Sequence, residues 1–108
     1  MEENLGKEWE GHLTVDVYQN ANEIIVQSAV AGVKGEDIDL DIAKDSVTIK
    51  GLRQRPEGLE QNESLHQELH WGKFSRSVIL PADIDIEQAK ASIKNGLLTI
   101  RLPKLKNV

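Results

Sequence analysis

A chain of 108 residues makes one domain with one core, and 39% hydrophobic residues make it globular rather than disordered. Thirteen Lys and Arg against eighteen Asp and Glu leave a net charge of −5 with no basic run, which argues against a nucleic-acid partner. With no cysteine there is no disulfide, thiolate nucleophile or cysteinyl metal site.

No apolar run approaches the length that spans a bilayer, and the start Met1-Glu2-Glu3-Asn4 does not read as a signal peptide. No membrane association is expected, and a reducing cytoplasm suits the composition. Trp9, Trp71, Tyr18 and Phe74 are the only aromatics, so the core must be built mainly from Val, Ile and Leu.

Residues 1–11 form a short polar arm, with Trp9 its only large ring and so a candidate anchor. From Leu13 the chain alternates strictly, with Leu13, Val15 and Val17 on the inward face of a first strand. A turn follows at residues 19–23, where Asn22 suits a left-handed or Asx position. Residues 24–31 resume as a strand, Ile24, Val26 and Val30 sharing one parity, and residues 32–37 read as a loop. Ile38, Leu40 and Ile42 alternate with Asp39 and Asp41, and Asp45-Ser46 turns the chain into a second alternating strand over residues 47–52.

Periodicity disappears from Arg53 to Glu63, a long polar excursion in which Leu59 is an isolated apolar residue. A very short strand is expected near Ser64, Leu65, His66 and Gln67, and a long loop bearing such a strand is raw material for exchange between subunits. In the next strand Phe74, Val78 and Leu80 share a face with Arg76, which asks for a carboxylate partner or an interface. Pro81 ends it, and one helical or 3₁₀ turn is expected at residues 87–89.

Residues 91–103 specify their local structure most fully. Ala91 and Ile93 alternate with polar neighbours, Asn95-Gly96 suits a type I′ turn, and Leu98, Ile100 and Leu102 return along one face. Seven or eight short strands with regular turn signals describe an all-β sandwich.

Catalytic patterns are missing. There is no Walker loop, dinucleotide fingerprint, His-Glu-x-x-His, EF-hand or G-x-S-x-G. In a strand His66 and His70 would sit about 13 Å apart, too far to share a metal. Asp39 and Asp41 read as a solvated face. Neither an enzyme nor a cofactor is expected.

G-x-F-x-R-x-x-x-L-P at Gly72 to Pro81 and A-x-x-x-N-G-x-L at Ala91 to Leu98 together resemble the small heat shock proteins, in their α-crystallin (Hsp20) domain. Val15-Asp16-Val17-Tyr18 and Ala29-Val30-Ala31-Gly32-Val33 agree in order, so the likeness covers roughly residues 13–104, with the domain set at 12–104 and a tail at 105–108. The resemblance implies an immunoglobulin-like sandwich and ATP-independent holding of unfolding client proteins. It implies a homodimer in which a short strand near residues 64–67 pairs with the neighbour's sheet, the interface taking Ser64, Leu65, His66, Gln67, Trp71, Phe74 and the characteristic Arg76. It also implies a groove for aliphatic segments, from clients or from the C-terminal tails of longer relatives, between the strands of Ile38, Leu40, Ile42 and of Ala91, Ile93. Three features depart from the family pattern: the short arm, the lack of an I-x-I/V tail motif, and Ala31-Gly32 where Pro-Gly is usual. The runner-up by resemblance is a monomeric CS-like co-chaperone or adaptor domain, which lacks a loop-borne exchanging strand.

Overall fold

Alternating apolar and polar side chains sort the described residues into eight strands, as expected for a sequence with no sustained 3.6 period. A computed structural model describes residues 11–106, so the expectation for Trp9 lies outside the described residues. The strands are β1 (Gly11–His12), β2 (Val15–Gln19), β3 (Glu23–Ala29), β4 (Ile38–Ala43), β5 (Ser46–Arg53), β6 (Gly72–Ile79), β7 (Lys90–Lys94) and β8 (Leu97–Pro103). Two 3₁₀ turns, Gly35–Asp37 and Ile86–Gln88, are the only helical pieces among the described residues.

Two four-stranded sheets result, ordered β1-β6-β5-β4 and β2-β3-β8-β7. All neighbours are antiparallel except β1 and β6, which pair in parallel through Gly11 with Phe74 and His12 with Ser75. Only Leu13 and Thr14 separate β1 from β2, so these two edge strands must lie on the same side of the sandwich. That connectivity leaves β4 and β7 as the two free edges of the opposite side. At one end, Ile84 N–H donates to the Lys44 carbonyl (2.9 Å) and Asp85 N–H to that of Pro103 (2.9 Å), tying the β4–β5 turn to the end of β8.

Register puts the branched residues in layers. Across the first sheet Leu40, Ile49 and Arg76 are in line, flanked by Ile38, Gly51 and Phe74 and by Ile42, Val47 and Val78. Across the second, Val26 lines up with Ile100 and Ala91, and Ile24 with Leu102. Ile24, Val26, Ile49, Val47, Ile100 and Leu102 are fully buried, and Phe74 is the one aromatic ring in the core among the described residues. The aliphatic core follows from the scarcity of aromatics.

Several local expectations need correction. Val17 has the inward parity but is 41% exposed, because it sits on the outermost strand of its sheet. Asn20, not Asn22, builds the β2–β3 turn: its Oδ1 accepts from Asn22 N–H (2.7 Å) and Glu23 N–H (2.9 Å). The β4–β5 turn falls on Lys44 and Asp45, one residue earlier than the sequence suggested, because Ser46 pairs with Ala43. The closing hairpin agrees with expectation, with Asn95 at φ 55° and Gly96 at φ 78°, both positive as a type I′ turn requires.

Candidate functional site

Among the described residues three features are left over once the core is filled: the free edges of β4 and β7, the free edge of β2, and the loop of residues 54–71. Each exposes backbone that a sheet would otherwise pair.

On the first side, Ile38, Leu40 and Ile42 are half-buried against the core while Asp39 and Asp41 face water. Opposite them Ala91 is exposed and Ile93 is 41% exposed. The expected groove residues therefore fall on two facing strand edges, with apolar groups that the described residues do not cover fully. Leu80 and Leu98, both motif residues, are core. Pro81 is exposed just past β6, and Gly72 opens β6 at φ 104°.

The loop between β5 and β6 is longer than the sheet demands. Arg53 and Gly72 are still ladder partners, so a two-residue turn would close this hairpin. Instead the chain leaves the sandwich, and the expected strand at residues 64–67 is not formed: residues 54–71 contain none. Ser64, Leu65, His66 and Gln67 are all exposed, Leu65 at 88%. The loop curls around a hollow of about 630 Å³ lined by Arg55, Leu59, Leu65, His66 and Trp71 among others. Within it Glu60 Oε1 accepts from Gly58 N–H (2.9 Å), and backbone N–H bonds hold the Glu60 carboxyl below its ordinary range. His66 Nε2 lies 2.7 Å from Glu68 Oε2, while His70 Nε2 lies 2.8 Å from the Lys73 carbonyl, so the two histidines are engaged separately.

Arg76 is half-buried at the other side. Its Nη1 donates to the Leu13 carbonyl (3.1 Å) and lies 3.2 Å from His12 Nε2. Among the described residues no carboxylate pairs with it, so of the two expected alternatives, a carboxylate or an interface, the first is not met; its acceptors lie on β1 (His12) and on the β1–β2 link (Leu13). Phe74, expected at the interface, is 2% exposed within this chain and fills its core. Replacing Arg76→Ala should lower stability by about 1.5–3 kcal/mol, the worth of hydrogen bonds from a charged donor, with β content kept. Urea unfolding and far-ultraviolet circular dichroism check it, and a midpoint equal to wild type contradicts it.

An Hsp20/alpha crystallin family model matches residues 10–108. The chain belongs to the Hsp20/alpha crystallin family. This α-crystallin domain is 33% identical over 89 residues to small heat shock protein C4 of Rickettsia felis, covering 82% of this chain and 55% of that one. It is 32% identical over 94 residues to heat shock protein 16 of Schizosaccharomyces pombe, covering 85% and 66%. Among solved structures it is similar to heat shock protein 16.0 from S. pombe (TM-score 0.81, 30% identity, 90% of each chain). Another is a small heat-shock protein from Xylella fastidiosa (TM-score 0.76, 26% identity, 89% and 88% covered). The chain thus spans about half to two thirds of the length of its curated relatives.

Two residues of the site escaped the sequence reading. Arg53 and Gly51 both lie where the long loop leaves the sheet, and the available signal was a glycine inside an alternating strand, a mark of close approach.

Proposed function

We propose that this chain is an ATP-independent holdase module: an α-crystallin domain of immunoglobulin-like topology that dimerises by strand exchange and binds unfolding proteins. The supporting observation is the surplus loop. Residues 54–71 are inserted where two residues would do, and they present Leu59, Leu65 and Leu69 at 64%, 88% and 73% exposure. A partner's free β2 edge offers the backbone partners that residues 64–67 lack, and Val17 and Tyr18 offer apolar area beside it. Trp71, half-buried at the loop base, and Arg76, beside the β1–β2 link, border that contact.

Clients are held by a second surface. Aliphatic side chains of an extended segment, from an unfolding protein or the tail of a longer relative, enter between Ile38, Leu40 and Ile42 on β4 and Ala91 and Ile93 on β7. Each buried side chain is worth about 1.5–3 kcal/mol before ordering costs, so single contacts are weak and affinity depends on multivalency. A cytoplasmic location suits this role.

The deciding experiment compares the full chain with one in which an Asn-Gly turn replaces residues 54–71. Sedimentation equilibrium should give a dimer for the first and a monomer for the second, with similar thermal unfolding of the monomer. The full chain should also slow aggregation of a heat-unfolding client. Equal dimer constants for the two chains would end the exchange reading, and no protection at excess chaperone would end the holdase reading.

A further inference from the structure

Arg53 is the last residue of β5 and sits where the ladder stops, directly opposite Gly72. Its Nε donates to the carbonyl of Ala31 (2.9 Å), just past the end of β3 in the other sheet. Its Nη1 reaches the carbonyl of His70 (3.4 Å), on the returning limb of the loop. The guanidinium carbon lies 5.5 Å from the centre of the Phe74 ring, which is itself fixed in the core. One half-buried side chain thus joins both sheets and the loop's return at the point where β5 and β6 part. One step out a second arginine also lies over a ring, with the Arg55 guanidinium carbon 6.0 Å from the centre of the Trp71 ring.

From this geometry we infer that Arg53 is a positioning residue for the exchange loop, fixing the direction in which residues 54–71 leave the sandwich and so setting the strength of the dimer. The inference rests on the strand-exchange reading above. Its physical basis is preorganisation: a loop whose two ends are held loses less conformational freedom when its outer part docks on a neighbour. The planar fork is essential. Two acceptors in different directions plus a ring face suit a guanidinium, whereas an ammonium on a lysine stem is a point charge that cannot serve all three. His70 is held in turn through its own ring to the Lys73 carbonyl, so the returning limb is anchored on both sides.

The test uses Arg53→Lys and Arg53→Ala in the full chain, together with the chain carrying the Asn-Gly turn. Sedimentation equilibrium should show the dimer weakened roughly tenfold or more in both variants, since loss of preorganisation appears mainly as an association cost. At monomeric dilution, a Glu-specific protease should cut the loop several times faster in Arg53→Lys than in wild type. A merely structural role would lower the melting temperature of the variants without changing loop cleavage below the transition. If Arg53→Lys keeps the wild-type dimer constant and cleavage rate, the inference fails, because charge alone is then sufficient. If the Asn-Gly chain is monomeric and Arg53→Lys dimerises like wild type, the inference fails and strand exchange stands. If the Asn-Gly chain dimerises like wild type, both fall.

Discussion

Gly51→Ala should destabilise the domain by on the order of 3 kcal/mol, at the upper end for overpacking, although it adds a single methyl group to a strand interior. A Cβ at this position would lie 2.3 Å from Phe74 Cζ and 2.8 Å from Cε1, with the Asp37 carbonyl at 3.0 Å. Gly51 and Phe74 are ladder partners, so the ring lies across the neighbouring strand's glycine. The ring cannot move aside easily, being 2% exposed, with the Arg53 guanidinium 5.5 Å from its centre. The cost is specific to the pair. Phe74→Ala alone should cost about 3–5 kcal/mol, and adding Gly51→Ala to it should cost almost nothing more. Urea unfolding of the four proteins closes the cycle. Additive losses would mean that the ring and the glycine do not meet, and a Gly51→Ala midpoint near wild type would mean that the strands yield.

Gly96→Val should cost about 1–3 kcal/mol from backbone strain, because a β-branched residue is forced to φ 78°. Packing opposes it too. A Cβ on Gly96 would meet the Cα and Cβ of Ala31 at 3.2 Å, and the Gly96 carbonyl accepts the Val30 N–H at 2.7 Å. The turn therefore cannot swing away from the end of β3. Gly96→Asn separates the two effects, since asparagine tolerates the left-handed region while retaining the crowding. Its loss should be clearly smaller than that of valine. Equal losses would assign the whole effect to Ala31, and a negligible loss for valine would mean that the hairpin uses another turn.

Both glycines are required at the boundary between what is local and what is not. Gly96 was legible because its requirement is local: Asn-Gly between two alternating runs specifies a turn whatever surrounds it. Gly51 was not, because its requirement comes from a ring that arrives from Phe74, beyond the whole loop. Arg76 shows the same division. Its parity among Phe74, Val78 and Leu80 announced a charged group on an apolar face, but its acceptors, the Leu13 carbonyl and His12, could not be foreseen. They depend on β1 joining β6 in parallel, a pairing of two residues that no pattern of that length could signal. Val17 is the converse case, with inward parity on a strand whose place at the rim of the sheet denies it cover.

The site divides in the same way. The aliphatic residues of the groove were visible as alternation in two separate runs. That the edges carrying them, β4 and β7, face each other follows only from the two-residue link that brings β1 and β2 together on the other side. The loop was visible as lost periodicity, but the side chain that fixes its base was not, since Arg53 reads as one more polar residue in a polar run. By itself the sequence determined the longer strands, most of their inward faces and the closing turn, because these depend on neighbours two to four residues away. Only the tertiary structure decided which edges remain open, which ring crosses which glycine and where each arginine finds its acceptors, because those contacts join residues that sequence distance leaves unrelated and sheet order brings within a few ångströms.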